Sequence, residues 1–298
     1  MRPRGSLLRW ALALGLATAL AGCAHDDYFD DDPDLFAVAY GGSAFVAVGE
    51  DQSVANSANG VDFFLQAVGP YGSFLDVTFG NGVWVAAGDS GVIYTSTDTA
   101  VWFVQFLPTN ASLRGAAFGN GTFVLVGDFG TAFVSPNAGA WQQIDAGTSQ
   151  ILEGVAFGED RFVAVGYGGV ILVSAQGREW LAVESGTTEA LFGVSYVNGD
   201  FIAVGDNGTI LSSPDGVDWT VVPSPTSRDL FAAAYGEGLI VVVGNDGTIL
   251  TSPDGSGFTF RSSGTGRDLY GVTYGEGIFV AVGDDALILN SFDGIDWF

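Results

Sequence analysis

Seven glycines stand at a constant interval of 39 residues: Gly49, Gly88, Gly127, Gly166, Gly205, Gly244 and Gly283. A fixed period of this length makes each unit one supersecondary module and the fold an array of such modules. Other positions keep the same ruler. An aromatic stands nine residues before each glycine: Tyr40, Phe79, Phe118, Phe157, Tyr196, Tyr235 and Tyr274. A serine stands eight after it, from Ser57 to Ser291, and a second aromatic fourteen after it: Phe63, Trp102, Trp141, Trp180, Trp219, Phe258 and Trp297.

The fifth unit shows what the module is. Leu191–Tyr196 and the wholly apolar Phe201–Gly205 read as two short strands, joined at 197–200 by a turn. Asp206-Asn207-Gly208 has the chemistry of a tight turn that needs positive φ. Thr209–Ser213 is a third strand, Pro214-Asp215-Gly216 turns the chain again, and Trp219 opens a fourth. Four short antiparallel strands, repeated seven times, predict an all-β, seven-bladed β-propeller with blades 35–73, 74–112, 113–151, 152–190, 191–229, 230–268 and 269–298. The 45 glycines fall largely in these turns, and 48% apolar content is ample for a core.

Blade stacking is legible in the first strand. Positions twelve and ten before each period glycine are mostly small, such as Gly193 and Ser195; those eleven and nine before are larger, such as Val194 and Tyr196. Strand side chains alternate faces, so the large face of one blade fills the small face of the next. The last unit is nine residues short and stops just after Trp297. Residues 24–34, rich in Asp but carrying Tyr28 and Phe29, are expected to supply the missing outer strand, with 27–31 completing blade 7.

The first 22 residues read as a signal peptide: Arg2, Arg4 and Arg9, then an apolar run from Trp10 to Leu20 that is too short to span a bilayer. Leu20-Ala21-Gly22-Cys23 resembles the lipobox of bacterial lipoproteins. The resemblance implies acylation of Cys23, the one cysteine of the chain, and a place in the cell envelope. With Ala24 following, it implies the outer membrane in a Gram-negative cell. Removal of the three signal arginines takes the formal charge from −25 to −28, since all 34 acids lie beyond Cys23. Such a field repels nucleic acid and anionic headgroups, which excludes a nucleic-acid partner and leaves the lipid as the only membrane contact. A monomer is expected.

Ser213-Pro-Asp215-Gly216-Val-Asp-Trp219, Ser252-Pro-Asp254-Gly255-Ser-Gly-Phe258 and Ser291-Phe-Asp293-Gly294-Ile-Asp-Trp297 resemble the Asp-box, or BNR repeat, of sialidase, sortilin-type and photosystem II assembly-factor-like propellers. Weaker copies begin at Ser57, Ser96 with Asp98, Ser135 and Ser174, and the aromatic stands one residue closer than in the common form. The motif is structural. Its acid accepts hydrogen bonds from turn amides and its aromatic (Trp102, Trp141, Trp180, Trp219 or Trp297) covers the turn. Asn59, Asn137 and Gln176 substitute for the acid, which suits an acceptor rather than a metal ligand.

No catalytic constellation is recognisable, and no cofactor is expected. The single histidine, His25, lies in the tether, there is no lysine, and no unit carries an insertion that would form a substrate loop. Binding is the default. The residue thirteen before each glycine opens the inner strand at the channel mouth, and around the ring it reads Phe36, Leu75, Arg114, Glu153, Phe192, Phe231 and Tyr270. The aromatics form a candidate rim for a peptide or loop of another envelope protein, acting as a non-enzymatic interaction or assembly scaffold. Arg114 and Glu153 are placed to pair, with Asp76 flanking Arg114. The alternative is a carbohydrate-binding or carbohydrate-active, sialidase- or lyase-like propeller with a small-molecule or glycan site around Arg114, Glu153, Arg228 and Arg267. A second ring of acids, Asp89, Asp128, Asp206 and Asp284, is a weak Ca²⁺ candidate.

Overall fold

The computed structural model describes residues 32–298. The signal peptide, Cys23 and the proposed closing segment at 27–31 lie outside the described residues. The chain forms seven antiparallel sheets, six of four strands and one of three, each in sequence order from inner to outer edge. The inner strands are Leu35–Gly41, Phe74–Gly80, Leu113–Gly119, Leu152–Gly158, Leu191–Val197, Leu230–Gly236 and Leu269–Gly275. They adjoin one another around a central channel, and the first meets the seventh. This is the seven-bladed β-propeller the period implies. No helix among the described residues is long and apolar enough to cross a membrane.

The period glycines are required by a close approach, not by a turn. All seven are followed by the same backbone bond: the next residue donates its N–H to the carbonyl just before the inner strand, as in Asp89 to Ser73 (3.1 Å) and Asp206 to Ala190 (2.9 Å). That carbonyl lies where the glycine's Cβ would stand, at Gly88 against Ser73 and at Gly205 against Ala190. The register shift at the start of each inner strand, as between Leu191 and Gly193, creates the approach. The backbone at Gly205 is extended, with φ −172°, so any residue could adopt its angles but none other fits the space.

Blades stack through a second glycine. The last residue of an inner strand lies under the aromatic of the next blade: Gly80 against Phe118, Gly119 against Phe157, Gly158 against Tyr196, Gly275 against Tyr40. The aromatic leans on the first large residue of its own second strand, as Phe157 does on Phe162 at 4.8 Å. Blade 5 breaks the pattern. Val197 stands in the glycine's place, and Tyr235 opposite it is 37% exposed while its six counterparts are half-buried. The second strands are buried throughout, as in Phe201–Gly205.

Blade 7 has three strands among the described residues, the last being Ile288–Ser291. Beside it, Phe298 exchanges both backbone hydrogen bonds with Asn290 at 3.0 Å. The join to blade 1 is made by Pro33, whose carbonyl accepts from Ala286 N (2.9 Å), as Ala111 does from Gly91 (2.8 Å) between blades 2 and 3. Asp34 Oδ1 accepts from Asp285 N at 2.9 Å.

Candidate functional site

Each inner strand begins at one end of the channel, so its second residue points to the mouth. All seven rim residues line one cavity of about 480 Å³: Phe36, Leu75, Arg114, Glu153, Phe192, Phe231 and Tyr270. Four consecutive blades give a chain of rings. Phe192 and Phe231 are 5.6 Å apart, Phe231 and Tyr270 5.4 Å, Tyr270 and Phe36 5.5 Å. Tyr167 extends the arc, 6.3 Å from Phe192. Each ring is partly exposed to the cavity. Below the rim the walls are small, with Ala37, Gly154, Gly193, Ala232 and Gly271.

The opposite side is charged. Arg114 pairs with Glu153 as its spacing implies, at 3.4 Å, but its nearer partner is Asp128, at 2.6 Å. Burial pushes the Arg114 guanidinium down, and Asp128 and Glu153 more than offset it, leaving its pKa above the usual value. Burial raises the Glu153 carboxyl despite Arg114. Tyr270 donates to Asp284 Oδ1 at 2.8 Å, and burial with that aspartate pushes its phenol up.

Asp76 does not bond Arg114. It replaces a small residue deeper in the wall, where Oδ2 accepts from Ala116 N and Oδ1 from Val77 N, both at 2.7 Å. Burial raises its carboxyl to about 7, against the lowering effect of those two amides. The Asp76 side chain thus ties blade 2 to blade 3 while lining the cavity.

The four acids considered for Ca²⁺ are otherwise engaged. Asp89 accepts from Ser112 Oγ, Asp128 from Arg114, Asp284 from Tyr270, and Asp206 shares a hydrogen bond with Asp229 that raises its carboxyl. Successive acids sit on separate blades, and no group of three His, Cys, Asp or Glu able to hold a metal occurs among the described residues. The structure does not bring Arg228 and Arg267 into the mouth with Arg114 and Glu153. Each turns to an aspartate of the following blade, Arg228 to Asp246 at 3.1 Å and Arg267 to Asp285 at 3.2 Å. Their positions follow the crossover from the preceding blade, outside the cavity wall.

The Asp-box-like turns lie at the other end of the blades and are structural in geometry. Asp215 Oδ1 accepts from Val217 N and Asp218 N (2.9 and 3.0 Å), Ser213 Oγ accepts from Gly216 N (2.8 Å), and Trp219 Nε1 donates to Gly216 O (2.9 Å). Asp98 and Asp293 repeat the pair of amides, Trp102, Trp141, Trp180 and Trp297 repeat the indole bond, and Asn59 and Asn137 accept as the acids do. Asp254 accepts from Ser256. These backbone donors hold Asp98, Asp215, Asp254 and Asp293 below the usual carboxylate range. Tyr167, which joins the arc through Phe192, lies outside the rim positions read from the sequence. It is the one aromatic in a ring of acids and amides, and that break is its only sequence signal.

No protein-family model matches the chain, and no curated protein matches it in sequence. Solved structures do match in fold. YCF48 bound to a D1 peptide superposes with a TM-score of 0.70 at 17% identity, over 89% of this chain and 95% of that one. YCF48 from Cyanidioschyzon merolae gives 0.68 at 18% identity over 87% and 95%. The WD40 propeller domain of Doa1 gives 0.68 at 16% identity over 86% and 92%. At these identities the likeness shows that this chain has the architecture of a β-propeller, and nothing finer.

Proposed function

We propose that the protein is a lipid-anchored propeller of the cell envelope whose channel mouth holds an extended segment or loop of another protein, as a non-enzymatic scaffold. The observation that carries this reading is the arc Phe192, Phe231, Tyr270 and Phe36, four partly exposed rings in consecutive contact around one side of a cavity of about 480 Å³. Aromatic anchors beside a pocket are what interfaces use most, because a ring adds much contact area for few rotatable bonds. The cavity is open enough for side chains of a strand or turn. Leu75, Arg114 and Glu153 on its far side would fix orientation. A propeller of this architecture, YCF48, has been seen with a D1 peptide bound, so a peptide is a reasonable ligand class for the scaffold. Cys23 would supply the anchor.

The test is in-cell photo-crosslinking from position 231, with position 181 as control. Leu181 lies on an outer strand and is 70% exposed. A discrete protein adduct from 231 alone supports the reading and names the partner. Absence of any adduct, with glycan binding detected in a panel, would replace it by the carbohydrate alternative.

A further inference from the structure

The outer edges of the seven blades are not alike. In blade 1, residues 63–74 include no charged side chain, and in blade 2 neither do the equivalent residues 102–113. The equivalent stretches of blades 3 to 6 carry Asp145; Glu184 and Glu189; Arg228 and Asp229; and Arg261, Arg267 and Asp268. In place of charge, blades 1 and 2 expose rings and aliphatics: Phe64 at 65%, Phe103 at 66% and Phe106 at 62%, with Leu65, Tyr71 and Val104. The strip is continuous across the two blades. Tyr71 of the first packs on Phe106 of the second at 5.4 Å, and Gln66 Nε2 donates to Thr99 O at 3.1 Å. On the other flank, blade 7 adds the exposed pair Phe292 and Phe298, with rings 5.6 Å apart. A contiguous apolar strip on so acidic a protein marks a contact surface.

Its position indicates the occupant. The described chain enters at Asp32–Asp34, where Pro33 bonds blade 7 and blade 1 follows. Cys23 precedes Asp32 by nine residues, an extended reach of about 30 Å at most. An anchor there favours approach by the sector of blades 7, 1 and 2, which is the sector carrying the strip. The charge pattern agrees. Acidic edges are repelled by anionic headgroups, and an uncharged edge is not. Phenylalanine and tyrosine rings suit the boundary between headgroups and acyl chains.

We propose that, beyond the lipid that the overall charge leaves as the expected membrane contact, the outer edges of blades 1 and 2 dock on a lipid bilayer, with Phe64, Phe103 and Phe106 entering the headgroup region as a second attachment. The inference rests on the lipid-anchored reading above for its orientation, not for its assay. The mature chain carrying Cys23→Ser, and therefore no lipid, is floated with vesicles of phosphatidylethanolamine containing a minority of phosphatidylglycerol. The unlipidated protein is expected to float with the vesicles and to stay bound at high salt. The triple variant Phe64→Gln, Phe103→Gln, Phe106→Gln should lose about tenfold or more in partitioning, as apolar surface is removed from the contact. Leu181→Gln with Phe260→Gln, on blades 4 and 6, should change nothing. Phe103→Lys alone provides a milder variant, and matched melting temperatures exclude misfolding. Unlipidated protein that stays in the aqueous phase overturns the proposal, as does a triple variant that floats equally well. Concentration-dependent self-association lost in the same triple variant would make the strip an interface between copies instead. Acylation of Cys23, read by the mass of the mature chain, stands or falls separately.

Discussion

Single side chains in a repeat protein come with their own controls, because six other blades show what the position does elsewhere. Gly119 lies under Phe157, so Gly119→Ala drives a methyl into the ring and should cost about 1–3 kcal/mol by chemical denaturation. Blade 5 has already made the larger substitution, and Tyr235 has moved outward beside Val197. Val197→Gly should let Tyr235 settle, read as slower nitration of that tyrosine. Asp76 is a different case, a carboxyl whose pKa is raised to about 7 in a wall of small residues. The one charged side chain on the neighbouring inner strands is Arg114, which is bound to Asp128 and Glu153. The folded state holds the Asp76 proton where the unfolded chain, with an ordinary aspartate, has released it. Its contribution is therefore fully present below about pH 4 and is lost as pH rises through about 7. Relative to the wild type, Asp76→Asn should gain stability between pH 5 and pH 8, by at most about 4 kcal/mol and less where channel water screens the charge. Equal pH slopes for the two proteins would refute a raised carboxyl.

At the scale of the element, the Asp-box-like turn is a cap for the connection between third and outer strands. The acid or amide at its head satisfies two turn amides, and the indole closes over it by one hydrogen bond. The tryptophans differ in burial: Trp102 is buried, with 8% of its surface exposed, while Trp141, Trp180, Trp219 and Trp297 are half-buried. Trp102→Ala should therefore cost about 3–5 kcal/mol and Trp219→Ala clearly less, a ranking that urea midpoints would check. Asp215→Asn should be nearly neutral, because blades 1 and 3 already use Asn59 and Asn137 there. Asp215→Ala should lower the midpoint by leaving Val217 and Asp218 amides unpaired.

For the molecule as a whole, the critical join is between the last blade and the first, where no covalent link runs between Phe298 and Asp34. Asp34 carries it through its side chain to Asp285 N, beside the Pro33 carbonyl that accepts from Ala286 N. Asp229 and Asp268 make the same side-chain clamp to Asn207 N and Asp246 N at the two preceding joins. Those joins are also tied by the chain, so Asp34→Ala should lower the melting temperature more than Asp268→Ala. The expected cost is about 1–3 kcal/mol, the worth of a hydrogen bond to a charged group. Calorimetry would decide it, and an equal effect at both joins would mean that closure adds nothing special.

The fold could be read from the sequence because a 39-residue period leaves little choice: each module has an apolar second strand that only neighbours on both sides can bury, and seven of them close a ring. The mouth residues were legible for the same reason, since a fixed offset from a repeated glycine puts seven side chains at one height. What the ruler could not supply is contact between positions at different offsets. Arg114 prefers Asp128 to Glu153, Asp76 ties to a backbone amide of the next blade, and Arg228 and Arg267 turn to Asp246 and Asp285 of the following blades, because each partner is chosen by distance in space rather than by spacing along the chain. The same holds for the period glycine, which looks like a turn residue in the sequence. Only the tertiary structure shows a carbonyl from fifteen residues earlier standing in the space a side chain would need.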